Sequence, residues 1–415
     1  MKKKPILGWF PLLYFYQALP FFWVTSLSTV FYKQMGVSNT TAALLSSIFY
    51  APWILKAFGG PWVQSRSTLK RWIVGTQTSI ALLMMISSIV VTTPFSVTGL
   101  SILFMLIATL GTLHDIAAEG EYIHALTSTQ HASMIGVRAT FFRLGWLAMQ
   151  GGAITLIGIT GSWQKVILVY LVIMGIVPLI LSRTLNSDSA AKHLSVAKEE
   201  EKFLKILAQY FKKNEIIDIL LFLLLYRFSE SQLQKLAIPF FIDPRVKGGL
   251  EIPTTSIGVI YGTLGPLFLT LGGLLSGWLI SRYGLTRLIV TIGIAANIPH
   301  ALYTWMAFHQ PEKIIWVATL INIEQFFYGV GFTAYLLFMV KTAQGKNATA
   351  HYAISAGFMA MGMMIPGSWS GWLADRLGYS WFFVWVLVSV IPSVWVTIRG
   401  RNVLQRLEKE PSHHT

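Results

Sequence analysis

The 415-residue sequence contains no cysteine, which excludes disulfides, thiolate metal sites and a cysteine nucleophile in one step. Charge is scarce as well. Asp, Glu, Lys and Arg together make up 12% of the chain, about half their share in an ordinary soluble protein. Acids are rarer than bases, 17 against 32, and the formal net charge is +15. In a soluble domain that excess would point to nucleic acid, but no Gly-rich phosphate loop or basic–aromatic surface accompanies it. No Ser/His/Asp arrangement sits in a recognisable motif. His114-Asp115 has no second histidine at ligand spacing, since His124 lies nearly three turns away. No catalytic residue, metal or cofactor is expected.

What is present is apolar. Hydrophobic residues reach 54% and mean hydropathy is +0.60, in runs of about twenty, the length a helix needs to cross about 30 Å of hydrocarbon. Spans are predicted near 6–32, 40–60, 72–92, 98–126, 132–157, 164–182, 214–242, 254–280, 288–308, 314–340, 350–373 and 380–398. The first is read as an uncleaved span, because it carries Gln17 and Pro20 and no small-residue cleavage site. The predicted organisation is a six-helix bundle at 1–182, a cytoplasmic linker at 183–213, a second bundle at 214–398 and a cytoplasmic tail at 399–415. Phe203, Leu204, Leu207 and Phe211 alternate with lysines in the linker, as in a helix lying on a membrane surface. With the N-terminus inside, 21 Lys and Arg fall on the cytoplasmic side and 6 on the other. That bias puts both termini in the cytoplasm.

Gly277-Trp278-Leu279-x-x-Arg282-x-Gly284 recurs as Gly371-Trp372-Leu373-x-x-Arg376-x-Gly378. The copies end predicted spans on opposite sides of the membrane, as inverted three-helix repeats require. The expected class is therefore an all-α membrane protein of the major facilitator fold, with 12 transmembrane helices in two six-helix bundles.

An ionisable group inside hydrocarbon is costly and marks a functional candidate. Asp115, Glu119 and Tyr122 share one helical face at i, i+4 and i+7. Two carboxylates one turn apart resist double ionisation, so one is suited to hold a proton. Arg138 and Arg143 are available as counter-charges, with Gln150 further along the same span. Arg227, Glu230 and Gln234 share a face of the seventh span, next to Lys235. Asn322, Glu324, Gln325 and Tyr328 stand in the tenth, and Tyr14, Gln17 and Trp23 in the first. Lys56 and Lys235 fit either a buried role or snorkelling to the interface. Arg138 fits a structural ion pair as well as a functional one, and Glu121 and His124 sit near the loop.

Several of these segments resemble the AmpG-like muropeptide-permease group of the major facilitators. They are Gln17-Ala18-Leu19-Pro20, Lys56-x-x-x-Gly60-Pro61, His114-Asp115-Ile116-Ala117-Ala118-Glu119-Gly120, Arg143-Leu144, Gln150-Gly151, Tyr226-Arg227-Phe228-x-Glu230-x-Gln232 and Gly378-Tyr379-x-x-Phe382-Phe383. The group is also similar to acetyl-coenzyme A transporters and siderophore permeases. The resemblance implies proton-driven uptake across the bacterial inner membrane, anhydro-muropeptides being the best-known solutes. Asp115 and Glu119 match its acidic pair, with Glu119 in place of the usual Asp. Gln64 replaces an Asp of the loop that latches the inward gate.

The expectation is a monomeric symporter in contact with membrane lipids, with Asp115, Glu119 and Glu230 carrying protons. Tyr14, Gln17, Trp23, Tyr122, Arg143, Gln150, Arg227, Gln234, Lys235, Glu324, Gln325 and Tyr328 would meet a small, anionic, amphiphilic solute. Lys56, Arg66, Arg138 and Arg282 would serve the gates. An exporter of hydrophobic cations would carry mostly acids inside, whereas five bases fall within these spans. An enzyme would need a constellation that is missing, and a receptor a soluble signalling domain.

Overall fold

The computed structural model describes residues 6–56, 58–59, 63, 67–126, 128–185, 196–344 and 347–409, and these are nearly all helical with no strand. Gln64 and Arg66 lie outside the described residues. Eight stretches are long and apolar enough to cross a membrane: Leu69–Val90, Ser96–Ile123, Gly136–Thr160, Trp163–Thr184, Thr254–Tyr283, Leu285–His309, Ile314–Thr342 and Ala350–Lys409. The last is 60 residues long, about 90 Å if straight and so far more than one crossing. Gly378 interrupts it at φ 72°, ψ 163°.

The predicted spans 6–32, 40–60 and 214–242 are interrupted rather than continuous. The first is Phe10–Phe22, a π-turn at Trp23–Leu27, then Ser28–Gln34. Pro20 removes one backbone donor inside it. The second begins as Asn39–Ile48 and continues at Ala51–Ile54. The seventh is Ile216–Leu225 and Phe228–Ile242, parted at Tyr226-Arg227. Each interrupted helix carries polar residues of the candidate site, as backbone irregularity at membrane depth commonly does.

The chain forms two compact units, 1–35 with 49–204 and 254–258, and 36–48 with 205–253 and 259–415. Each takes a short segment from the opposite half of the sequence. In the first unit, Phe10–Phe22 packs on Ser128–Leu147, and Leu69–Val90 on Ser96–Ala125 and Trp163–Thr184. In the second, Gly265–Tyr283 packs on Ile314–Thr342, while Asn39–Ile48 and Phe228–Ile242 pack on Ala348–Val388. Its core stacks Phe222 on Phe338 at 3.8 Å. The final helix, Val390–Lys409, runs through most of the predicted tail.

Both copies of the repeated motif have the same local form. Arg282 lies over Trp278 and Arg376 over Trp372, at 5.8 and 4.8 Å. Each helix then meets a glycine in a backbone region closed to other residues: Gly284 at φ 84°, ψ 144° and Gly378 at φ 72°, ψ 163°. The linker helix, Val196–Phe211, is not wholly exposed. Leu204 and Phe211 stay exposed, but Tyr210 is buried and bonds Ser355 Oγ at 2.9 Å. Lys213 Nζ donates to Thr342 O at 2.6 Å.

Two predictions follow from these features. Gly378→Ala should cost about 1–3 kcal/mol, read as a lower melting midpoint in detergent, whereas Gly75→Ala, in open space, should not. Burial pushes the Lys213 ammonium down to about 8. Between that value and the ordinary lysine range, the undocked linker holds a proton that the docked one lacks, so docking should strengthen as pH rises. Protection of the linker from protease should follow that slope, and Lys213→Met should flatten it.

Candidate functional site

The Ser96–Ala125 helix presents Asp115 and Glu119 one turn apart, as the spacing predicts. Lys56 closes on both: its Nζ is 2.8 Å from Glu119 Oε1 and 3.8 Å from Asp115 Oδ2. Its ammonium is thus turned inward rather than snorkelling. Arg138 Nη2 reaches Glu119 Oε1 at 3.4 Å, so two carboxylates meet two cations within one unit. Trp53 Nε1 donates to Asp115 Oδ2 at 3.0 Å, while Asp115 Oδ1 is buried without a hydrogen-bond partner. The Arg138 guanidinium also lies over the rings of Tyr14 and Tyr122, at 4.8 and 5.4 Å. Behind the acid pair, the Gln77 amide donates to His114 Nε2 at 3.0 Å.

These two carboxylates differ in access. The Asp115 side chain is 11% exposed and that of Glu119 37%. Glu119 is therefore the reachable member, and it is shared by both cations. Neutralising it would release Arg138 and leave Lys56 with Asp115 alone.

A second cluster stands in the other unit, just after the break at Tyr226-Arg227. Arg227 Nη2 is 3.6 Å from Glu230 Oε1 and donates to Tyr328 Oη at 2.7 Å. Its guanidinium lies over the rings of Tyr328 and Phe332, each at 5.1 Å. Gln234 Nε2 donates to Glu230 Oε1. Glu324 Oε2 accepts from Gln325 Nε2 at 2.8 Å and Tyr303 Oη at 3.5 Å. Lys235 Nζ donates to Ser46 Oγ at 3.2 Å on the Asn39–Ile48 helix.

The same helix is anchored at its start. Asp375 Oδ2 accepts from Thr40 N at 2.8 Å and Thr40 Oγ1 at 2.7 Å, placing a carboxylate on the free N–H groups of the first turn. Asn39 Nδ2 donates to Tyr379 Oη at 3.0 Å, and Tyr379 donates to Asp243 Oδ2 at 2.6 Å.

Other predicted residues stand apart from these clusters. Arg143, expected as a counter-charge, is exposed and makes no ion pair among the described residues. Gln150 Oε1 accepts from Trp146 Nε1 at 2.7 Å and Ser26 Oγ at 3.3 Å. Trp23 is buried against Phe104 and Tyr170, and Gln17 is buried with Oε1 unpartnered. Arg282 is exposed at its helix end. Among the described residues no group of three or more His, Asp or Glu is placed to hold a metal. Sequence reasoning missed Trp53, Tyr303 and the Trp369–Gln232–Trp385 bridge, whose indoles donate to Gln232 Oε1 at 3.4 and 2.9 Å. Their only signal was an aromatic within an apolar run.

No family model matches the chain. It is similar to the AmpG 4 transporter candidate of Rickettsia conorii, at 24% identity over 91% of this chain and 92% of the relative. It is 23% identical to the anhydromuropeptide permease of Escherichia coli K12, over 80% of this chain and 66% of the relative. Among solved structures, a D-xylose–proton symporter matches with a TM-score of 0.68 at 12% identity, covering 95% of both chains. A bacterial homologue of the lysosomal transporter Spinster matches at 0.66 and 13%, covering 98% of both. At such identities the structures show a shared fold, that of the major facilitators. The chain is a multi-pass membrane protein.

Lys56 is the residue on which the first cluster turns. Lys56→Met leaves Asp115 buried with no lysine or arginine partner among the described residues, only the His114 ring 4.0 Å from Oδ1, and breaking a buried pair costs about 3–5 kcal/mol. Partial exposure of Glu119 should bring the loss to the lower end. Adding Asp115→Asn should recover most of the melting temperature lost in detergent; no recovery would show that Lys56 acts through packing instead.

Proposed function

We propose that this chain, a transporter of the major facilitator fold resembling the AmpG-like muropeptide-permease group over most of its length, is a proton-coupled symporter. It imports an anionic, amphiphilic solute, best represented by an anhydro-muropeptide, across the bacterial inner membrane. The architecture proposed is 12 transmembrane helices in two six-helix bundles of inverted triplets, with both termini cytoplasmic, working as a monomer. The matched local form of the two Gly-Trp-Leu segments supports the repeat, and the Lys/Arg bias supports the orientation.

The observation that carries the reading is the Lys56–Asp115–Glu119–Arg138 cluster. As it stands, both cations are spent on carboxylates. A proton on Glu119 removes one anion, and Arg138, with Lys56 still held by Asp115, can then accept an acidic group of the solute. Solute and proton thereby favour each other's binding, which is the linkage that symport needs. Glu230 repeats the logic with Arg227 in the second unit. Tyr122 and Tyr328 already hold guanidinium groups on their faces and offer similar surfaces to sugar rings, whereas Tyr14 is wholly buried. The gating role extends to the Asp375 contact on the Asn39–Ile48 helix, which would release as that helix moves.

A permease of the same fold for another solute, such as a siderophore, nucleotide-linked metabolite or oligosaccharide, is the second reading. It is favoured by a D-xylose–proton symporter and a nucleoside transporter sharing the fold. Proteoliposomes separate the two. Labelled anhydro-muropeptide should accumulate under an inward proton gradient and leak back when a protonophore is added. Asp115→Asn should abolish that uphill uptake while the protein stays folded. Normal accumulation in this variant would remove Asp115 from the coupling machinery, and no uptake by the wild type would discard the cell-wall solute.

A further inference from the structure

Not every buried carboxylate in this protein has a cation. Asp115 and Glu119 share Lys56, and Glu230 has Arg227. Glu324, on the Ile314–Thr342 helix, is 1% exposed and makes no ion pair among the described residues. Its Oε2 accepts only neutral donors, the Gln325 amide and the Tyr303 hydroxyl. Its Oε1 is buried with no hydrogen-bond partner at all.

Arg227 and Lys235 stand at and along the helix that brings Glu230, but they bond Glu230, Tyr328 and Ser46, and neither pairs with Glu324 among the described residues. Glu230 faces it from the Phe228–Ile242 helix and interacts unfavourably with a second negative charge. Tyr303 comes from the His300–His309 helix, and Tyr261 stands behind Tyr303. The Gly265–Tyr283 and Leu285–Asn297 helices bring only Arg282 and Arg287, both at their junction. His351, Asp375 and Arg376 lie toward the ends of the helical segments of Ala348–Val388 that flank Gly378, and Arg399, Arg401, Arg406, Glu408 and Lys409 in the last half of Val390–Lys409. The helices pack closely here: a Cβ on Gly329, one turn beyond Gln325, would lie 1.9 Å from Leu269 O.

An ionised carboxylate in such a place would be buried, without a counter-charge and hydrogen-bonded at one oxygen only, which is among the costliest arrangements a protein can hold. The neutral acid carries no such penalty, and its O–H has the freedom to sit on either oxygen. We propose that Glu324 is a proton-binding site, occupied in the solute-free protein, and that its proton is exchanged during transport. The exchange rests on the symport reading above, whereas the bound proton does not. With the proton in place, Arg227, Glu230 and Glu324 together are neutral. An anionic group that takes Arg227 leaves Glu230 unpaired, so Glu230 must then accept a proton of its own. Solute charge would be matched proton for charge in this unit.

Infrared difference spectroscopy of the purified, full-length protein reads the site directly. At neutral pH the wild type should show the C=O stretch of a protonated carboxylic acid, and Glu324→Gln should lose it. Asp115→Asn should leave it unchanged. Gln keeps the acceptor oxygen for Gln325 and Tyr303, and Glu324→Asp serves as the second variant, retaining a band at a shifted frequency. A band that survives Glu324→Gln, or that does not move in Glu324→Asp, overturns the assignment. In proteoliposomes, proton-driven accumulation of labelled anhydro-muropeptide by Glu324→Gln should fall to simple equilibration. Full accumulation by this variant overturns the role in exchange. A wild type that shows the band yet moves nothing under a proton gradient overturns the symport reading and leaves the proton site standing.

Discussion

Lys56 closes an electrostatic circuit inside an apolar bundle, and much of the first unit is arranged around that closure. A carboxylate at membrane depth has no water to solvate it, so its partner must come from the protein. Asp115 and Glu119 both meet that requirement through one ammonium, with Arg138 completing the balance on Glu119. The arrangement is compensated but strained in one respect, since Asp115 Oδ1 has no donor. A cluster so nearly balanced is sensitive to one proton or one added anion, and that sensitivity is what a coupled carrier requires. The second unit is balanced differently: Arg227 pairs with Glu230, and Glu324 has only neutral donors.

Helix irregularity is the structural counterpart of these charges. π-turns occur at Trp23–Leu27, Ala148–Ala153 and Ile260–Leu264, and a break at Tyr226-Arg227. Each frees backbone carbonyls that lipid cannot satisfy. Buried tyrosines take them up. Tyr170 donates to Ala148 O, and Tyr335 Oη to Leu223 O at 2.8 Å, one turn before the break. The break itself sets Arg227 at the start of a new helix, from which it reaches both Glu230 and Tyr328. Tyrosines placed against broken helices therefore have a backbone task that is separate from any solute.

Local reading of the residues identified the acid pair and its shared face, because side-chain direction along one helix follows from a period of 3.6. The same rule grouped Arg227, Glu230 and Gln234. It gave no means of choosing partners from other helices. Arg138 and Arg143 are five residues apart and looked equivalent as counter-charges, yet only Arg138 is turned to Glu119. Lys56 fitted an interfacial lysine as well as a buried one, because a flexible four-carbon stem serves both. Trp23 and Tyr14 read as solute-facing residues, but both are packed into the interior of the first unit.

By itself the sequence determined that this is a membrane protein. Long apolar runs leave a chain no other stable solvent, the Lys/Arg bias carries an expected orientation, and few ionisable residues remain to do chemistry. Which of those residues are compensated was decided only by tertiary structure. Lys56 meets two acids, Arg227 meets one, and Glu324 meets none, although all three acidic segments look alike as text. The physical reason is that the cost of a buried charge depends on the few ångströms around it, and neighbours from distant segments fill that space.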